Sequence, residues 1–417
     1  MKNVCLVGIG GYAAKHLKIL QMLEKEKAVN LHSIVVRDRN KYAKQVDELD
    51  SSGVIIYPAY QKMLTYGQDK IDIIALPIAL MDLAPYAIQA LENGYDVILE
   101  KPGAVTIQDA DKLIQAEKAS DRYLAIAYQF TYSSSISLIL NTIESGDFGK
   151  VNRIKVLIGW PRGWDYYRNK NWLGKLKIEN RWVLDGPLSN ATSHFLNNAL
   201  MILHAKNHDT AIKHVTAELY RANDIDSYDT CCLKAAMTDG AELLFVSTHA
   251  INKRIDPVME IDTEKALISW NFIEEKTVIR YKGRNKKIFK ERNTEEKYQN
   301  IFRDMVTVSS MRTRRPKATM ELSRPQVLVS NLAFESAEGI LTLPEEYLKT
   351  TTDKYGKKTI IKDMETIITR AYDENKLFSE IELSWAAGTK KVAAKGYANF
   401  PKSRILKKYL DETASDA

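Results

Sequence analysis

The sequence predicts an α/β chain, with an N-terminal doubly wound parallel sheet followed by a C-terminal α+β region built on a large, mostly antiparallel open sheet. Three observations predict it. In the first part, short apolar strands alternate with helical patterns, the rhythm of a parallel sheet covered on both faces. From Asn152 onward the segments become longer and alternate in polarity, and Asp239-Gly240 between two of them is a hairpin turn signal. The 417 residues, 45% hydrophobic and 27% charged, are enough to bury a sizeable core divided between domains.

The elements follow in order. Strand patterns lie at 4–7, 31–36, 54–57, 71–76, 96–99 and 123–128, with helical patterns at 14–25, 41–49, 85–93 (stopped by Gly94) and 107–119. The second part carries strand patterns at 153–158, 212–219, 229–237, 242–249, 266–272 and 277–281. Its helical patterns fall at 134–144, 193–204, 295–309 and 324–338. A more polar tail follows Leu343, with one helical pattern at 361–372. The expected division is 1–122, 123–343 and a C-terminal extension, 344–417, that packs on the body. Neither an internal repeat nor a low-complexity segment is present.

Composition narrows the function classes. A net charge of +7 is modest for this length, and the basic clusters Arg312-Arg314-Arg315 and Lys357-Lys358 are short, which fits a solvated face better than a nucleic-acid footprint. The early apolar run, Val4 to Gly11, is too short to span a bilayer and unlike a signal peptide, so a cytoplasmic protein without membrane partners is expected. Cys5, Cys231 and Cys232 fall inside strand patterns and lack metal-site spacing; packed, reduced thiols and no metal are expected.

Two motifs carry chemistry. Gly8-Ile9-Gly10-Gly11-Tyr12-Ala13 closes the first strand and opens a helix, where backbone N–H groups and the helix dipole favour a pyrophosphate. Asp38, at the end of the second strand, stands where a carboxylate accepts ribose hydroxyls. It favours NAD by repelling a 2'-phosphate, yet Arg37 and Arg39 flank it and suit NADP, so both cofactors stay open. Glu100-Lys101-Pro102 then places a lysine at the carboxyl end of a buried strand, the edge at which open α/β sheets bind ligands. An ionised lysine there is costly without a partner or ligand, and it suits a group that holds a substrate hydroxyl and moves its proton.

With these residues the chain resembles the glucose-fructose oxidoreductase, inositol dehydrogenase and rhizopine catabolism (Gfo/Idh/MocA) family. The resemblance rests on Gly8-x-Gly10-x-x-Ala13, Asp38, Pro77, Glu100-Lys101-Pro102 and His194, and runs to about Gly339. It implies a Rossmann domain, a cis Lys101–Pro102 bond, a C-terminal sheet that forms a homo-oligomer (dimer or tetramer), and hydride transfer between NAD(P) and a sugar, sugar acid or cyclitol. It implies a cofactor site at Gly8, Gly10, Gly11, Tyr12, Ala13, Arg37, Asp38, Arg39, Leu76, Pro77, Glu100, Lys101 and Gln129. Lys101 and His194 become the expected proton-handling residues, and Tyr132 falls where the family lines its cleft. The family often carries an aspartate four residues before its histidine; here Asn190 stands there, which can hydrogen-bond a hydroxyl but cannot stabilise an imidazolium by charge. Asp185 lies near enough in sequence to compensate.

The segment from Trp160 to Trp182 holds four of the six tryptophans, with Tyr166 and Tyr167 interleaved with Arg162, Arg168, Asn169 and Lys175. Aromatic faces beside hydroxyl-binding groups suit a sugar ring, and arginines suit an acidic one; Trp160, Arg162, Tyr166, Asn169, Trp172 and Asn190 are the expected substrate contacts. The same composition also suits a subunit contact. The expected activity is that of an NAD(P)-dependent dehydrogenase or reductase of a carbohydrate-like alcohol. Glycoside cleavage with transient redox, and a non-catalytic regulatory binding protein, are the alternatives.

Overall fold

Strand β1 (Lys2–Val7) sits at the centre of the first sheet because its last four residues are buried and apolar on both faces. The computed structural model describes residues 1–205, 210–283, 286–291, 296–353 and 356–415, with side chains to residue 411. These fall into two units: Met1–Ala104, Asp109–Tyr132 and Glu295–Arg324 make the first, and Val105–Gln108, Ser133–Thr294 and Pro325–Ala417 the second.

In the first unit the chain continues α1 (Ala13–Lys25), β2 (Val29–Val35), α2 (Ala43–Ser51), β3 (Ile55–Tyr57), α3 (Tyr60–Tyr66), β4 (Ile73–Leu76), α4 (Leu83–Glu92), β5 (Asp96–Leu99), α5 (Ile107–Ser120) and β6 (Leu124–Ile126). The sheet order is β3-β2-β1-β4-β5-β6, with every pairing parallel. The order reverses between β1 and β4, and such a switch point leaves a crevice outside the strands' carboxyl ends. The segments after β1, β2, β4, β5 and β6 therefore share one sheet edge. Helix α3 lies between two of the predicted strands, in a seven-residue stretch of mixed polarity too short for its period to stand out.

The second unit contains α6 (Ser134–Glu144), β7 (Val151–Gly159), α7 (Trp164–Arg168), β8 (Lys177–Ile178), β9 (Arg181–Trp182), α8 (Ser193–His204), β10 (Ile212–Arg221), β11 (Thr230–Met237), β12 (Glu242–Thr248), β13 (Ile255–Thr263), β14 (Ala266–Asn271), β15 (Lys276–Tyr281) and β16 (Lys287–Lys290). Helix α9 (Glu296–Met311) belongs to the first unit; its expected first residue, Glu295, lies outside the described residues. Helix α10 (Met320–Ala337) precedes β17 (Leu341–Thr342), the hairpin β18 (Leu348–Asp353) and β19 (Gly356–Ile361), α11 (Met364–Glu374), β20 (Val392–Ala393) and α12 (Arg404–Ser415).

The large sheet runs β16-β15-β14-β13-β7-β12-β11-β10-β17, with β20 added to β10. It is antiparallel except for the pairs β7–β12 and β10–β17. Strand β13 escapes the sequence pattern because Pro257 interrupts it, and the structure accommodates that proline at a register irregularity between Ile255 and Val258. The tail builds its own layer. Ile361, Met364, Ile368, Phe378 and Trp385 form a core with Leu157, Tyr220 and Val246 of the sheet. Cys5, Cys231 and Cys232 are buried thiols in strands β1 and β11, and burial pushes the Cys5 thiol up to about 12.

Candidate functional site

The sequence-predicted cofactor residues gather on the carboxyl edge of the first sheet. Gly8 leaves β1 at φ +98°, and its N–H donates to the Val35 carbonyl at 2.9 Å; Gly11 follows at φ +60°. Both angles lie in the left-handed region that only glycine enters without strain. A Cβ on Gly8 would reach the Ala13 Cβ at 3.4 Å, and Ala13 itself is buried as α1 begins, so a larger side chain there would part helix from strand. At Gly10 a Cβ would lie 2.1 Å from the Tyr42 hydroxyl oxygen, which rests directly on the turn. The glycines thus form a bare backbone cradle at a helix N-terminus, which fits a dinucleotide pyrophosphate. Asp38 is exposed beyond β2 and accepts the Lys41 N–H at 3.0 Å, with Arg37 and Arg39 exposed on either side. Leu76 is buried and Pro77 half-buried just after β4. Tyr12, between the glycines and α1, is exposed.

Glu100 is the hub beneath that edge. Its carboxylate is buried and accepts from His16 Nε2 at 3.0 Å, from the Tyr298 hydroxyl, and from the Lys101 N–H at 3.2 Å. His16 and the Tyr298 hydroxyl also meet each other, at 2.7 Å. Burial alone would raise the Glu100 pKa, but the hydrogen bonds from His16 and Tyr298 and the charges of His16 and Lys101 outweigh it and hold the group below the ordinary carboxylate value. Lys101, half-buried, follows directly, joined to Pro102 by a cis bond. Gln129 is half-buried after β6, while Tyr132 donates its hydroxyl to Asp304 at 2.8 Å. Asp304 also receives Arg314 at 2.5 Å and the Lys317 N–H at 2.8 Å.

The second unit gathers a different polar group. Asn190 donates from Nδ2 to Asp185 at 2.8 Å and reaches the Tyr166 hydroxyl at 3.5 Å. The other oxygen of Asp185 accepts the Gly174 N–H at 2.6 Å. Asn190 lies in the turn before α8, its N–H bonded to the Gly186 carbonyl, so it precedes the regular helix that carries His194 in its first turn. Tyr166, Tyr167, Asp185, Asn190, Tyr228 and His249 line one small cavity. Burial, then the neighbouring Arg162 charge, lowers the His249 pKa to about 3 and keeps the ring neutral, while its Nδ1 pairs with the Trp160 carbonyl at 2.8 Å. Burial and the Asp185 charge push the Tyr166 hydroxyl up, so it stays protonated.

The aromatic segment divides by role. Arg162 and Tyr166 stand at the polar cluster, the guanidinium 4.5 Å from the tyrosine ring. Trp160 packs edge-on against Phe195 and Phe272, with its carbonyl facing the cluster. Trp164 donates to the Thr359 hydroxyl at 3.2 Å beneath Lys357, and Trp182 packs on Phe400. Asn169 is exposed at the end of α7 and Trp172 is half-buried beyond it.

The model of the Gfo/Idh/MocA family, described as an oxidoreductase family with an NAD-binding Rossmann fold, matches residues 2–128. The match covers β1 to β6 of the first sheet and stops there. The fold is similar to that of the WlbA dehydrogenase from Bordetella pertussis, solved with NADH and UDP-GlcNAcA, at 20% identity and a TM-score of 0.66 over 81% of this chain and 97% of that one. Levoglucosan dehydrogenase, solved with NADH and levoglucosan, is similar at 15% identity and a TM-score of 0.67 over 81% and 97% of the two chains. A glycosyl hydrolase family 109 protein of Solibacter usitatus (strain Ellin6076) is 20% identical over 154 residues, 35% of either chain. The matches to curated relatives span 41% and 35% of those relatives' lengths.

The sequence patterns of the first unit do not reveal His16, Tyr42 and Tyr298. His16 lies on the buried face of α1, three residues past Ala13, and that placement of a histidine was the available signal. Tyr298 comes from 198 residues beyond Glu100, and no local pattern links them. In the second unit His249 was passed over, since a lone histidine at a strand end carries no motif. Among the described residues no group of histidine, cysteine and carboxylate side chains is placed to hold a metal ion, and no helix is long and apolar enough to cross a membrane.

Proposed function

We propose that this protein is an NAD(P)-dependent dehydrogenase or reductase acting at the hydroxyl carbon of a sugar, sugar acid or cyclitol. The observation that carries the reading is Glu100-Lys101: a lysine fixed to a buried, hydrogen-bonded carboxylate, on the same sheet edge as the glycine cradle and Asp38. NAD supplies the redox chemistry when bound, through hydride transfer at the nicotinamide. In the oxidative direction the neutral Lys101 amine takes the proton of the substrate hydroxyl, and in the reverse direction the ammonium returns it, with the Glu100 carboxylate nearby to favour the ammonium. In the second unit, His194 takes the proton role implied by its family position, and Asn190, Tyr166 and Arg162 bind the substrate's polar groups. Asp185, held by Gly174 and bonded to Asn190, restores a carboxylate to the neighbourhood where the family's usual aspartate is replaced. The ligands in the WlbA and levoglucosan dehydrogenase structures, both carbohydrates accompanied by NADH, support a carbohydrate-like substrate.

A second reading, glycoside cleavage in which the sugar is oxidised only transiently, is favoured by the glycosyl hydrolase family 109 relative. A screen of sugars, sugar acids, cyclitols and glycosides with NAD and NADP separates the two, following nicotinamide absorbance and product mass together. Net NADH or NADPH with an oxidised product supports the dehydrogenase. Release of a glycosidic substituent without net reduced cofactor supports the alternative. The cytoplasm and a homo-oligomer formed through the large sheet are the proposed setting.

A further inference from the structure

We infer that Arg162 binds a carboxylate of the substrate, so that the alcohol acted upon is an acidic sugar, an aldonate or a uronate. The inference deepens the dehydrogenase reading and rests on it for the alcohol chemistry, but not for the anion. Arg162 lies three residues beyond β7, tied down by its own N–H, which donates to the His249 carbonyl at 3.2 Å. Its guanidinium lies 4.5 Å from the centre of the Tyr166 ring, a cation–π arrangement that fixes the plane of the fork. The residue is half-buried, its Nε is fully buried without an acceptor, and no carboxylate among the described residues forms an ion pair with it.

Arg153 in the same unit also has a buried Nε without a hydrogen bond, but Glu242 lies 3.6 Å from it. Arg254 pairs with Asp256, Arg370 with Glu374, and Arg221 donates to Thr342 and to the Ile225 and Asp226 carbonyls. Asp185, in the same cluster, accepts from the Gly174 N–H and the Asn190 amide. His249, whose backbone holds Arg162, stays neutral and adds no competing charge. A buried guanidinium nitrogen without an acceptor is costly, and a carboxylate on the fork answers it with charge-assisted hydrogen bonds. The neighbouring Tyr166 hydroxyl and Asn190 amide, 3.5 Å apart, are neutral groups suited to sugar hydroxyls. The second unit thus separates a cationic anchor from a hydroxyl-binding pair.

The test is calorimetry on the NADH-loaded full chain with matched probes: D-glucose, D-gluconate, D-glucuronate, D-galacturonate and D-glucose 6-phosphate. The wild type should bind at least one of the carboxylates about tenfold or more tightly than glucose, and R162Q should erase that preference while NADH affinity stays unchanged. R162K, which keeps the charge but not the fork, should fall between the two. Equal affinity for glucose and every acid, preference for the phosphate alone, or a carboxylate preference that survives in R162Q would each overturn the assignment. If carboxylate binding depends on Arg162 but no probe is oxidised with either cofactor, the dehydrogenase reading fails and the anion site stands.

Discussion

At the scale of single residues, the glycine turn and the Glu100 hub make the strongest demands. A carboxylate at Gly10 would meet the Tyr42 hydroxyl and repel the pyrophosphate, so Gly10→Asp should abolish NAD(H) binding by calorimetry. Undiminished binding in that variant would remove the cradle from the cofactor site. Tyr298→Phe takes one hydrogen bond from a buried carboxylate and should cost about 1–3 kcal/mol in denaturant unfolding. His249 gives a pH signature. Its folded pKa of about 3 lies below the 6.5 of an ordinary histidine, so the unfolded chain binds the extra proton between those values. Stability should therefore fall as pH drops from 6.5 toward 3, and His249→Gln should flatten that part of the decline. An unchanged slope in the variant would mean the ring is not held neutral.

At the scale of elements, α7 is five residues long and has no side-chain cap, too short to persist on its own. It is held by the β18–β19 hairpin, where Thr359 accepts from Trp164 and the Lys357 ammonium sits 4.1 Å from the indole centre. Trp164→Ala should loosen α7, speeding amide exchange at residues 165–168 and raising KM for the substrate several-fold while leaving NADH affinity intact. Unchanged exchange would show that the hairpin does not hold the helix. This dependence was illegible in the sequence. The elements on the cofactor edge were readable because each ends in a local signal: glycines after β1, Asp38 after β2 and Glu-Lys-Pro after β5. The tail read only as a polar stretch with one helix, because β18 is short, largely exposed and rich in threonine, and β19 is apolar only at Ile360 and Ile361. Likewise, the aromatic segment read as one pocket, whereas Trp164 and Trp182 pack on the tail; which tryptophan packs and which lines a site depends on distant partners.

At the scale of the molecule, the residues proposed for cofactor and for substrate fall in different units: the glycine turn, Glu100 and Lys101 in the first, the Asp185–Asn190–Tyr166 cluster, Arg162 and His194 in the second. The division predicts that substitutions separate cleanly, with Asp38→Ala weakening NAD more than NADP and leaving substrate affinity alone. Lys101, whose backbone N–H is held by Glu100, is proposed to move the hydroxyl proton of an NAD(P)-linked oxidation. The most direct measurement compares the wild type with Lys101→Ala on the best substrate of the screen, counting reduced nicotinamide formed against product oxidised. The wild type should form one reduced cofactor per oxidised sugar, and the variant should show a kcat/KM lower by about a hundredfold or more with cofactor affinity nearly unchanged. Normal turnover in Lys101→Ala, or product formed without net reduced cofactor, would contradict it.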